Sequence, residues 1–122
     1  MAQLRMWWLT LAWAVLIVAL TVAPMPDTGA SLAVPGLDKL VHAALFGVLA
    51  WLALQARTRG GARRPPLWLL LVAIAVFAGA DEWVQQFVAG RSADLMDWVA
   101  DMTGVLSAMI LASAPMRREM TS

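Results

Sequence analysis

Cysteine and tyrosine are both missing from this 122-residue chain, there is one histidine, and only 14% of its residues carry charge. Without cysteine there is no disulfide framework, no thiolate nucleophile and no cysteine-ligated zinc. A net charge of +1, with no basic face interleaved with aromatics, gives no reason to expect a nucleic-acid partner. Also absent are HExxH, GxSxG, a phosphate-cradling glycine loop and any deaminase-like pattern, so none of the familiar soluble catalytic signatures applies. What the chain has in quantity is apolar surface. It is 61% hydrophobic, with a mean hydropathy of +0.73, against the roughly 45–50% apolar residues of ordinary globular domains. The reading is a single domain spanning the whole chain, built in and for a membrane.

Four runs are long enough to cross a bilayer, which takes about 17–25 apolar residues. The first covers about 6–23, between Arg5 and Pro24. A cleaved signal peptide is its rival, but the run exceeds the apolar core of about 7–15 residues such peptides carry, and Pro24 is a poor place to cut. A proline-bounded loop follows to Leu37. The second span, about 38–56, begins at Asp38, which suits a helix N-cap, and places His42 one turn on, where Asp38 can hydrogen-bond the imidazole. Arg57 to Pro66 is a glycine- and proline-broken turn. The third span, about 67–86, starts directly after Pro65-Pro66. A turn at Gly90 leads to the fourth, about 94–114, with Asp94 as N-cap, Asp97 at the capping-box position and Pro115 as the stop. The predicted fold is an all-α membrane protein, a compact bundle of four transmembrane helices.

Basic residues set the expected orientation. With both termini cytoplasmic, the inside holds Arg5, Arg57, Arg59, Arg63, Arg64, Arg117 and Arg118, and the outside only Lys39 and Arg91. That asymmetry is what the positive-inside rule describes. Trp7, Trp8 and Trp68 then fall at the inner interface, and Trp83 and Trp98 toward the outer one, as anchors.

The same topology brings the polar residues together. The start of the second span, the end of the third and the start of the fourth share the outer side, and they carry Asp38, Lys39, His42, Asp81, Glu82, Gln85, Arg91, Asp97 and Asp101. An ionisable side chain at bilayer depth costs about 2.5–3.5 kcal/mol on insertion scales, so such groups face a bundle interior or a wet cavity and find partners. Asp81 and Gln85 share one helix face, as do Asp94, Asp97 and Asp101. Ala100, Gly104, Ala108 and Ala112 on the fourth helix, with Ala75 and Gly79 on the third, are small residues at four-residue intervals that let membrane helices approach closely.

Three groups of residues together resemble a known family. Asp38-Lys39-x-x-His42 with Phe46, then Asp81-Glu82-x-x-Gln85-x-Phe87-x-x-Gly90-Arg91, then Asp97-x-x-x-Asp101-x-x-Gly104 look like the VanZ-like membrane proteins, over roughly 38–111. The chain departs from the pattern at Ala89, where Pro is common before the Gly-Arg, and at Asp101, where Asn is frequent. The resemblance implies a small multi-pass bacterial membrane protein in the context of glycopeptide susceptibility, teicoplanin in particular, and names no reaction.

Chemically, the acids outnumber the cations, and carboxylates crowded in low dielectric must share protons or hold a cation. Three functional readings stand side by side. In the first, Asp81, Glu82, Asp97 and Asp101 hold a divalent cation such as Mg²⁺ or Mn²⁺. The ion, with Lys39 and Arg91, then engages a phosphate of a polyprenyl-phosphate or other lipid-linked cell-wall precursor, and His42 or Glu82 is the candidate general base. In the second, the same residues form a non-catalytic binding or proton-coupled transport accessory. In the third they are interhelical glue, each pair contributing about 0.6 kcal/mol.

Overall fold

The computed structural model describes residues 1–23 and 36–121, with side chains described as far as residue 113. Helix α1 spans Ala2–Val22, α2 Leu37–Thr58, α3 Leu67–Gln85 and α4 Leu95–Thr121, with a single 3-10 turn at Gly61–Arg63. All four are long and apolar enough to cross a membrane, and no strand occurs among the described residues. Most of the expected loop from Pro24 to Leu37 lies outside the described residues.

Several helix ends differ from the sequence expectation, each for a local reason. Helix α2 is started by Gly36 in the left-handed region, φ 86°, and Asp38 sits inside the first turn without capping anything. At the other end α2 runs past Ala56 to Thr58, where the Arg59 guanidinium bonds the Gln55 carbonyl at 3.0 Å. Pro66, in extended conformation, precedes α3 as expected. Pro115 does not stop α4, which continues to Thr121. A proline removes one backbone donor from a helix, and a membrane helix near its end can re-satisfy the freed carbonyl and carry on.

The largest interface in the bundle joins α2 to α4, and the next joins α1 to α2, while α3 packs more sparingly against the others. The α2–α4 seam rests on glycine. A Cβ at Gly104 would overlap the backbone carbonyl of Ala43, and one at Gly47 would come within 3.3 Å of the Gly104 carbonyl oxygen. Only bare backbones fit there, which is how helices associate when lipid offers no hydrophobic drive. The buried apolar residues Phe46, Leu49, Ala50, Ala53, Leu54, Leu70, Ile74, Ala78, Val105 and Ile17 fill the interior. Ala75 and Gly79 make no backbone contact of that kind. They seat the indole of Trp98, which lies against Gly79 and donates to the Ala75 carbonyl at 3.1 Å. Trp98 is thus a helix-joining residue as much as an interfacial one, whereas Trp8, Trp68 and Trp83 are largely exposed, as anchors are.

Candidate functional site

The start of α2, the end of α3 and the start of α4 meet at one end of the bundle. There His42, Asp81, Glu82, Gln85, Asp97 and Asp101 are all buried, between 1% and 6% exposed. Their helical spacing is what brings them inward: 81, 82 and 85 lie on one face of α3, and 97 and 101 on one face of α4. Asp38 and Lys39 are more exposed and form the rim.

His42 is at the centre. Its Nδ1 donates to the Asp101 carboxylate at 2.8 Å, a bond between α2 and α4 and buried at both ends. Its Nε2 faces Asp38 Oδ1 at 3.7 Å and Asp97 Oδ2 at 3.8 Å. The expected Asp38–His42 hydrogen bond is therefore not formed. Asp101 takes the imidazole because its carboxylate meets the ring from the facing helix at bonding distance, while Asp38, one turn away on the same helix, leans into solvent. Lys39 crosses to α4 as well, donating to Asp97 Oδ1 at 2.8 Å and to Asp94 Oδ2 at 3.1 Å.

On α3, Asp81 Oδ1 accepts from the Thr21 hydroxyl at 2.5 Å, which brings α1 into the polar end. Asp81 Oδ2 and Asp101 Oδ2 are fully buried with no partner among the described residues. Glu82 Oε1 accepts the backbone amide of Asp94 at 2.7 Å, and Gln85 lies 3.4 Å from Glu82 Oε2. Asp94 does cap α4, accepting the Met96 amide at 2.9 Å. The return half of the capping box, expected from Asp97, comes instead from Glu82 on another helix, because Asp97 is occupied by Lys39. The Met96 amide, and then the Lys39 ammonium, hold the Asp94 carboxyl below its usual range.

Arg91 stands apart from these side chains. Its guanidinium donates to the Ala23 carbonyl at 2.8 Å and to the Leu20 carbonyl at 2.9 Å, the unpaired acceptors at the C-terminal end of α1. That is the position where a cation complements a helix end.

Two donor sets could surround an ion: Asp38, His42 and Asp97, and His42, Glu82 and Asp101, with the ligand atoms of each set within 4.8 Å of one another. Both contain His42, and neither contains Asp81. Beside them a cleft of about 420 Å³ opens between α3 and α4, with Gly79, Glu82, Trp83, Asp94 and Trp98 in its walls. A wholly apolar groove of about 370 Å³ lies on the other flank of α3, against α1, where Leu11, Val15, Val18 and Phe77 line it.

Gly104 under Asp101, Phe46 under His42, and the Asp81-Glu82-Gln85 face are thus assembled at one seam, and the model of the VanZ/LLP1 family matches residues 5–116, nearly the whole chain. The chain belongs to the VanZ/LLP1 family. Neither a curated protein nor a solved structure matches it. As a VanZ-family protein with four apolar helices it is a multi-pass membrane protein in a lipid environment. Two residues that join helices were not singled out from the sequence. Thr21 is one hydroxyl in an apolar run, and nothing in its own helix marks it as the partner of Asp81. Trp13, whose indole donates to the Leu45 carbonyl at 2.9 Å, likewise looks like any other membrane tryptophan.

Proposed function

We propose that the polar end of this VanZ-family protein recognises a phosphate-bearing envelope lipid, a polyprenyl phosphate or a lipid-linked cell-wall precursor. The observation that carries the reading is the burial of Asp81, Glu82, Asp97 and Asp101 at one end of the bundle, beside a cleft that Glu82 lines between Trp83 and Trp98. Lipid does not tolerate such a set unless it is compensated, and the compensation available among the described residues is small. Lys39 is committed to Asp94 and Asp97, and Arg91 to the end of α1. A phosphate would therefore be drawn to this acid-rich end through a divalent cation, and the role for Lys39 and Arg91 becomes that of bracing the site. The arginine-rich hinge at the opposite end supports an orientation with the polar end outside, both termini cytoplasmic, and the protein in the inner membrane.

Native mass spectrometry of the protein from mild detergent tests the ligand: a retained polyprenyl phosphate, lost with Asp97→Asn, is the expected outcome. Protein that carries only bulk phospholipid, and does not bind added undecaprenyl phosphate with or without a divalent ion, would sink it. In cells, Asp97→Asn is expected to abolish any effect of the parent protein on teicoplanin susceptibility. Because the chain lacks cysteine, single replacements report the orientation. Ser92→Cys is expected to react with an impermeant thiol reagent in intact cells, and Ala62→Cys only after permeabilisation.

The His42–Asp101 bond, with the exposed Asp38 beyond it, also suits a proton-coupled binding accessory without turnover. Turnover of any lipid that depends on His42 would exclude this accessory reading.

A further inference from the structure

The Nε2 atom of His42 has no hydrogen-bond partner among the described residues, although the side chain is 6% exposed. What it faces are two carboxylate oxygens, Asp38 Oδ1 at 3.7 Å and Asp97 Oδ2 at 3.8 Å. Both separations are too long for a hydrogen bond, which needs about 2.7–3.2 Å. They match the distance between two ligands of one ion. Metal bonds of about 2.0–2.2 Å, at an angle somewhat wider than tetrahedral, put neighbouring donor atoms roughly 3.4–3.8 Å apart.

We propose that His42 Nε2, Asp38 Oδ1 and Asp97 Oδ2 are the three protein ligands of a divalent transition-metal centre, with Zn²⁺ or Mn²⁺ as the ion and Asp101 as the positioning residue. Each ligand is held in its role by a contact already described. With Asp101 accepting from His42 Nδ1, the neutral imidazole presents its Nε2 lone pair to an ion, which displaces any proton there, and a carboxylate behind a metal-bound imidazole is the usual orienting partner. Lys39 binds Asp97 through Oδ1, which leaves Oδ2 turned to His42. Asp38 is 67% exposed, so the ion reaches the centre from water and keeps an open coordination position toward solvent or a ligand oxygen. In the alternative set of His42, Glu82 and Asp101, Asp101 keeps an Oδ2 free among the described residues, but Glu82 is engaged through both oxygens, Oε1 by the Asp94 amide at 2.7 Å and Oε2 by Gln85 at 3.4 Å. A nitrogen donor with two carboxylates selects zinc or manganese over magnesium, which prefers oxygen and keeps its water. The ion deepens the proposed lipid reading by supplying the cation that reading requires, and it depends on that reading only for what the open position binds.

The test is calorimetric titration of the untagged full-length chain in detergent with Zn²⁺ alone, after treatment with a chelator. One ion per chain is expected. His42→Ala should abolish binding and Asp38→Asn should weaken it at least tenfold. Because Asp38 is exposed at the rim, its variant keeps the test valid if the histidine variant does not fold. Asp101→Asn should retain one-to-one stoichiometry with an affinity about 10–100-fold lower, the loss typical of an orienting partner. Gln86→Ala, exposed at the same end, should leave it unchanged. The Co²⁺-loaded protein should show visible absorption that His42→Ala removes. Absence of Zn²⁺ binding in the parent, or an unchanged affinity in Asp38→Asn, overturns the centre. Undecaprenyl phosphate bound equally by metal-free and metal-loaded protein overturns the ion's part while leaving the lipid reading intact. Tight Zn²⁺ binding with no retained lipid supports the centre and removes the lipid reading.

Discussion

At one end of α2, α3 and α4 the inward side chains are His42, Asp81, Glu82, Gln85, Asp97 and Asp101; further along α2 and α3 they are Leu49, Ala50, Ala53, Leu54, Leu70 and Ile74. The helices are continuous from one region to the other, so the contrast is a property of side chains alone. The apolar end is held by shape, since lipid outside is as oily as the interior and only close contact favours association. The polar end is held by bonds that cross between helices: Thr21 to Asp81, His42 to Asp101, Lys39 to Asp94 and Asp97, Glu82 to the start of α4, Arg91 to the end of α1. A bundle that needed only to be a bundle could be built like the first region throughout. The second carries an excess of acid that interhelical bonding does not require, and two carboxylate oxygens remain buried without a partner among the described residues.

That contrast can be broken most severely where the two regions share a seam. Gly104→Ala places a methyl group on the Ala43 carbonyl, and forcing the helices apart should cost about 1–3 kcal/mol, with Gly104→Leu preventing assembly. Unfolding by denaturing detergent would measure the first and a monodispersity assay the second. Thr21→Val comes next. It removes the donor to Asp81 Oδ1 beside an Oδ2 that has no partner among the described residues, and should cost about 1–3 kcal/mol. The matched change facing lipid in the apolar region, Ile110→Ala at a site 67% exposed, should stay within about 0.5 kcal/mol. Equal losses at the two sites would erase the distinction drawn between the ends. Trp98→Phe keeps the ring and removes the donor to Ala75, a change of about 0.6 kcal/mol. The smallest effect is at the rim. Since the Asp94 carboxyl is held below its usual range by Met96 and Lys39, its contribution is complete above the ordinary carboxylate value of about 3.9 and fades as pH falls through the lowered one. Melting curves of parent and Asp94→Asn should therefore differ slightly at neutral pH and converge in acid.

The number of helices, their spans and the side on which the polar residues gather were legible because hydropathy and alternating topology fix them with little help from packing. The glycine seam was legible too, in the interval from Ala100 to Gly104 to Ala108. Partners were not. From spacing, Asp38 is the natural neighbour of His42, yet the bond goes to Asp101, since facing helices in register can outbid a neighbour on the same helix. Asp97 fits a capping box and is taken by Lys39, and the vacancy is filled by Glu82 from twelve residues earlier. Arg91, read as a binding cation, ties down the end of α1, a contact that becomes visible only once that end is placed beside the turn after α3. Each of these depends on how helices sit laterally, which a hydropathy pattern leaves open.

Glycine at the crossing of α2 and α4 settles which parts of this molecule can shift. With Gly104 flush on Ala43, sliding either rod by a turn would drive side chains into bare backbone, so the pair behaves as an anvil carrying His42, Asp97 and Asp101 at fixed heights. Helix α3 has no comparable clasp and is flanked by a hollow on each side. Of the three helices that carry the polar end, α3 is therefore the one least hindered from shifting, and Asp81, Glu82 and Gln85 would travel with it.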